Sequence, residues 1–213
     1  TGGRAGHVAY FVMLSIIVFQ FFNAQKIRAL LVISLLIPLI FIGAYKTSDM
    51  FQYRVDDAIK EAMLFPTWES TPRAHGWAVE NTAIGLRLSY AINSWEIIKE
   101  SPLIGVGVGD FPIEYKRVVK RNTPEIRSTP DHPHNMYILV LVQLGIVGLV
   151  SMLSIIYYQI KLSFAQSNKF FRDVGFALPL LFLIIMLSDS YLLGHFTTLL
   201  FVFFSSFLYK GFD

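Results

Sequence analysis

The sequence predicts an all-α integral membrane protein, on three observations. Hydrophobic residues make up 54% of the 213-residue chain and charged residues only 15%, with a mean hydropathy of +0.53, which is more apolar than a soluble domain of this length. Five apolar stretches, at residues 7–24, 29–45, 136–160, 174–187 and 191–209, approach the roughly 20 residues a helix needs to cross a bilayer. Between the second and third lies a polar segment, residues 46–135, with helical periodicity of its own. Cysteine is absent, which excludes disulfides and thiolate metal sites. The net charge of +3 is mixed along the chain rather than gathered into a patch, which argues against nucleic acid as a partner.

Taken in order, the stretch 7–24 is flanked by charge and lacks a small-residue cleavage pattern, so it reads as a span rather than a removable signal. The chain opens on Thr1 rather than Met, and we read it as the C-terminal part of a longer protein. The first, third and fifth stretches are the strongest spans. The second carries Pro38 and the fourth carries Pro179 and is short, leaving room for a re-entrant arrangement of the fourth. Domain boundaries follow: residues 1–45 hold two spans, 46–135 a polar loop, and 136–213 three further spans.

Orientation comes from the short connections. Lys26 and Arg28, then Lys161, Lys169 and Arg172, then Lys210 all fall on one side, the cytoplasmic side by the positive-inside rule. Threading five spans through this assignment puts residues 1–6, the long loop and the turn 188–190 on the opposite face, so that Arg4, His134 and Asp189 share a side. The loop's own Lys and Arg do not contradict this, because segments of that length cross largely regardless of charge.

Within the loop, Ile84, Leu88, Ala91, Ile92, Trp95 and Ile98 recur at helical spacing, predicting an amphipathic helix over 82–100 capped by Asn81 and bearing Arg87. Ser101 and Pro102 stop it, the glycines 105, 107 and 109 make a turn, and Asp110 caps a second helix carrying Lys116, Arg117, Lys120 and Arg121. A third helix is expected near 53–65. The glycine turn follows a helix rather than a strand and lacks a P-loop lysine, so it does not read as a phosphate cradle. The basic run is a solvated face or an attractor of anionic sugars or lipid phosphates.

The densest chemistry lies in Asp131, His132, Pro133, His134 and Asn135, where the polar loop meets the apolar run at Met136. A neutral imidazole with a pKa of roughly 6.5 can take a proton from a hydroxyl near neutral pH. It can equally anchor a helix end at the interface. A metal reading of Asp131, His132 and His134 is weaker, since no further ligands cluster nearby in sequence.

These residues resemble the signature of the O-antigen ligase family of bacterial membrane glycosyltransferases. His134 and Asn135 are followed at the family's spacing by Gly145 and Gly148; upstream, Arg87, the helix with Trp95, the run from Ser101 and Pro102 to Gly107, and Phe111 are similar to a second family stretch. Thr1, Gly2, Gly3 and Arg4 resemble its small-residue-plus-arginine motif. Ala91 departs from the Trp often found four residues after the arginine, which touches packing more than chemistry.

The resemblance implies a polytopic GT-C bundle with a large, mostly helical periplasmic loop, in the bacterial inner membrane. It implies an inverting, metal-independent transfer without cofactor, from an undecaprenyl diphosphate-linked glycan to a hydroxyl of lipid A-core or another glycan acceptor. His134 would be the base, Arg4 and Arg87 would hold the donor diphosphate, and His132, Asn135 and Asp189 would support. A related polymerase or a protein O-oligosaccharyltransferase would use the same donor. A non-catalytic glycan transporter would instead require a polar path through the spans, which offer little beyond Gln20, Gln143 and a few Ser and Thr.

Overall fold

The structure, a computed structural model, describes residues 4–22, 25–64, 83–122 and 129–209, and every regular element among them is helical. The chain divides into two compact units, Thr1–His75 and Gly76–Asp213.

The first unit holds three helices, α1 (Arg4–Phe21), α2 (Lys26–Thr47) and α3 (Asp49–Leu64). Despite Pro38, α2 runs unbroken for 22 residues and is one of two described helices long and apolar enough to cross a membrane. The chain turns from α2 into α3 at Ser48, whose Oγ accepts the Phe51 N–H at 3.3 Å and so caps α3. Tyr45 then donates to Asp56 at 2.7 Å across the turn. Rings of His7 and Phe11 on α1, Phe41 on α2 and Phe51 on α3 contact one another across an apolar cleft, with centroid separations of 5.1 to 6.4 Å.

The second unit holds α4 (Ala83–Glu100), α5 (Phe111–Asn122), α6 (Met136–Ala165), α7 (Lys169–Ile185) and α8 (His195–Leu208). The helix expected from periodicity and the one expected after Asp110 are both present, while the Asn81 cap falls outside the described residues. They pack through Tyr90 and Ile97 on α4 and Phe111, Tyr115, Val118 and Val119 on α5, all buried. Asn93 donates to the Tyr115 hydroxyl at 3.3 Å inside this core. α6 is the second helix of spanning length, whereas a 3-10 turn at Tyr191–Leu193 and Gly194 shorten the last apolar stretch to the 14 residues of α8. Between α6 and α8, Gln159 donates to Ser205 at 2.8 Å, a polar tie of the kind that joins helices in lipid.

α6 is broken once, at Gly145, with φ 62° and ψ −160°. The break opens the helical bonds from the Ile146 and Val147 N–H groups to the Val142 and Gln143 carbonyls, and the loop after α4 takes their place. Val106 N–H donates to Val142 at 2.9 Å and Gly107 N–H to Gln143 at 3.0 Å, while Ile146 N–H donates to Pro102 at 2.9 Å and Val147 N–H to Leu103 at 3.3 Å. Backbone groups that would cost several kcal/mol each if left unpaired in hydrocarbon are thereby satisfied. A Cβ on Gly105, φ +69°, would fall on the backbone of Gln143 and Leu144, and one on Gly145 on that of Leu103 and Ile104. The glycine turn is thus a wedge stitched into a helix. Its Val106 and Gly107 amides are committed to carbonyls, which agrees with rejecting it as a phosphate cradle.

Candidate functional site

Three segments of the second unit meet at the head of α6. Asn135 closes the helix: its Oδ1 accepts the Ile138 N–H at 3.1 Å, and its Nδ2 donates to the Leu187 carbonyl at 3.1 Å, just past α7. Met136 N–H donates to the Met186 carbonyl at 2.9 Å, and the Tyr137 hydroxyl to the Leu183 carbonyl at 2.6 Å. The start of α6 is therefore tied to the end of α7, and the turn after α7 carries Asp189.

This tie sets His134 against Asp189, with Nδ1 3.1 Å from Oδ1. The same Oδ1 accepts the Ser190 N–H at 2.8 Å, which fixes the carboxylate. His134 holds φ at +51°, the one positive-φ residue other than glycine among those described. Pro133, fully buried, anchors the turn that produces this conformation. The imidazole also stacks on Tyr90 of α4, with ring centroids 5.9 Å apart and planes at 22°. Its Nε2 has no hydrogen-bond partner among the described residues, and 38% of the side chain is exposed.

His132 lies beside the pair. Its ring centroid is 4.4 Å from that of His134, its Nδ1 is 3.8 Å from Asp189 Oδ1, and it accepts the His134 N–H at 3.4 Å. Burial, then repulsion from His134, hold its imidazole below the ordinary 6.5, outweighing the opposite pull of Asp189 and Asp131. His132 is thus kept neutral near pH 7.

Of the residues singled out in the sequence, the structure brings His132, His134, Asn135 and Asp189 together. Asp131 is exposed and stands apart from the group His132, His134 and Asp189, whose ligand atoms lie within 4.8 Å of one another. Those three could hold a metal ion, a different set from the one suggested by sequence adjacency. Arg87 lies one helical turn before Tyr90 on α4, half-buried and without an ion pair or hydrogen bond among the described residues. Arg4 begins α1 in the other unit, and its side chain and residues 1–3 lie outside what the structure describes. Gly145 and Gly148 serve the α6 break: a Cβ on Gly148 would fall on that of Leu144.

Tyr90 was not singled out in the sequence, where a tyrosine on the apolar face of a helix reads as core. Its position one turn after Arg87 was the available signal. The basic run on α5 also resolves into two halves. Arg117 pairs with Glu114 at 2.6 Å and with Glu100, and Arg121 pairs with Glu100 at 3.1 Å, leaving Lys116 and Lys120 exposed. Glu100 is held below the usual carboxylate range by its hydrogen bonds to Arg117 and Arg121.

An apolar groove of about 570 Å³ runs along α6 from beside this corner, lined by Met136, Val140, Leu144 and Ile155 of the helix together with Ile104 and Leu192. Comparison with known families matches residues 1–153 to the model described as O-antigen ligase. The matched residues include Arg87, His134, Gly145 and Gly148, while Asp189 lies beyond them. Among curated proteins, none matches the chain.

Proposed function

The chain belongs to the O-antigen ligase family, a membrane-associated, glycosyltransferase-like group, and from that premise we propose that it takes part in an inverting, metal-independent transfer of O-antigen glycan from undecaprenyl diphosphate to a hydroxyl of lipid A-core. The observation that carries this reading is the His134–Asp189 pair at 3.1 Å. Asp189 accepts the Nδ1 proton, which leaves Nε2 as the basic nitrogen, and it stabilises the imidazolium formed when Nε2 takes a proton. The acceptor hydroxyl loses that proton to His134 as its oxygen attacks the anomeric carbon from the face opposite the diphosphate. The bond from that carbon to the diphosphate oxygen breaks, and undecaprenyl diphosphate leaves with the bonding pair.

Negative charge on the leaving group needs fixed cations where no metal serves. Arg87, half-buried without a partner among the described residues and one turn from the ring that stacks on His134, suits that role, and Arg4 is its counterpart from the family motif. The apolar groove beginning at Met136 supports a donor with an isoprenoid portion. In this reading the site faces the periplasm of the inner membrane, in a GT-C bundle with residues 46–135 as the periplasmic loop between two spans and three.

The test is His134→Ala in the full-length protein, reconstituted with lipid-linked glycan and lipid A-core. Transfer is expected to fall about 10²- to 10⁴-fold with membrane insertion intact; undiminished transfer would sink the general-base role. Comparing lipopolysaccharide, polymer length and glycoprotein profiles with and without the gene separates the ligase from a polymerase or a protein-glycosylating enzyme.

A further inference from the structure

Apart from Ile104, which also lines the apolar groove, the exposed side chains of the stitched loop and α5 have no part in the proposed transfer. Four hydrogen bonds fix Pro102–Gly107 beside Val142–Val147 of α6. The far end of that helix is marked by exposed Tyr157 and Tyr158 and by Lys161, whose Nζ lies 5.9 Å from the Tyr158 ring, the pairing found where a span meets the interface. Counting back roughly 20 residues from this Tyr157–Lys161 band reaches residues 137–141, just before the stitched segment. The wedge therefore sits in the outermost turns of the hydrocarbon layer, close to its edge.

Its side chains fit that depth. Leu103, Ile104 and Val108 are 65 to 76% exposed, and Ile113, at the start of α5, is 67% exposed. In water this would be a costly contiguous apolar surface. α5 has three faces: Phe111, Tyr115, Val118 and Val119 turn into the core, Arg117 and Arg121 pair with Glu100 while Glu114 pairs with Arg117, and Ile113, Lys116 and Lys120 form the third at positions i, i+3 and i+7. The two lysines have no partner among the described residues. Apolar residues at the hydrocarbon edge followed by free lysines make an interfacial helix, on which the stems lie along lipid and the ammonium groups reach headgroups.

We propose that residues 103–120 form a membrane-interface element that inserts Leu103, Ile104 and Val108 at the hydrocarbon edge and binds anionic lipid headgroups through Lys116 and Lys120. The exposed ammonium groups, without a partner among the described residues, fit headgroup phosphates, and Arg117 and Arg121 already pair with Glu100 and Glu114 on the adjoining face. The chain contains no cysteine, so a nitroxide can be placed at Ile104→Cys or Val108→Cys of the full-length protein in vesicles, after replacement of any cysteine outside this segment. Both labels are expected to meet oxygen more readily than a water-soluble nickel chelate, with Lys99→Cys as the aqueous control. Access to nickel equal to that control, or burial from both reagents by another part of the protein, would overturn the insertion. For the lysines, titrating detergent-solubilised protein with phosphatidylglycerol or phosphatidylcholine should show a preference for the anionic lipid. Lys116→Gln and Lys120→Gln should each weaken that preference on the order of fivefold, with thermal stability unchanged. Equal binding of both lipids, or a preference untouched by the double variant, would refute headgroup recognition.

Discussion

His134 holds a left-handed backbone that costs about 1 to 3 kcal/mol outside glycine, and such cost persists only where surrounding contacts over-determine it. Here those contacts are buried Pro133, the Asn135 cap, the Tyr90 stack and the bond to Asp189. On the proposed reading Asp189 acts through His134 as a positioning residue. Asp189→Asn keeps an acceptor oxygen but removes the charge that stabilises the imidazolium; kcat should fall about 10²-fold or more with little change in KM for the donor. A rise in KM alone would instead place Asp189 in substrate binding. His132 gives a pH prediction. Because its folded value is depressed by burial and by His134, the unfolded chain binds a proton more readily on the acid side of the ordinary 6.5. Its contribution to stability is therefore full above about pH 6.5 and is lost as pH falls through the lower folded value. Thermal unfolding at about pH 7.5 and about pH 5 should show a smaller acid loss for His132→Asn than for the parent. An equal loss would mean that the acid sensitivity arises elsewhere.

At the scale of elements, the stitch between the loop and α6 sets three glycines apart by mechanism. Gly105→Ala and Gly145→Ala each combine a positive φ with a Cβ driven into the opposing backbone, so each should destabilise the protein by at least about 3 kcal/mol. Gly109, φ +90°, opens onto empty space, and Gly109→Ala should cost only about 1 to 2 kcal/mol. Melting curves in detergent would rank the three, and equal losses would argue against the stitch. These glycines were legible in the sequence as punctuation and as a family spacing. Their purpose was not, because the pairing joins segments far apart in sequence and depends on a broken helix that apolar periodicity cannot reveal. Helix α4 was legible because its apolar residues repeat at helical spacing, and α5 because Asp110 follows the glycine turn as a helix cap. The basic run was only half legible: Glu100, at the end of a different helix, takes up Arg117 and Arg121.

At the scale of the whole molecule, the question is where positive charge comes from when a diphosphate departs. The sequence contains no Asp-x-Asp pair, and the described group that could hold a metal is built from His132, His134 and Asp189. An ion there would occupy the nitrogen that the proposed base reserves for its carboxylate. Metal binding and base catalysis thus compete for the same atoms, and the competition can be measured. Under the arginine reading, chelator leaves the transfer rate unchanged, and Arg87→Lys lowers donor use by roughly tenfold because a point charge replaces a bidentate fork. Under the metal reading, chelator abolishes transfer, zinc restores it, and Arg87→Lys has little effect. The two variables can be crossed in one reconstituted assay of the full-length protein, with His134→Ala as the floor. Chelator-resistant transfer that falls with Arg87→Lys would place the leaving-group charge on the guanidinium; chelator-sensitive transfer indifferent to Arg87 would overturn that assignment.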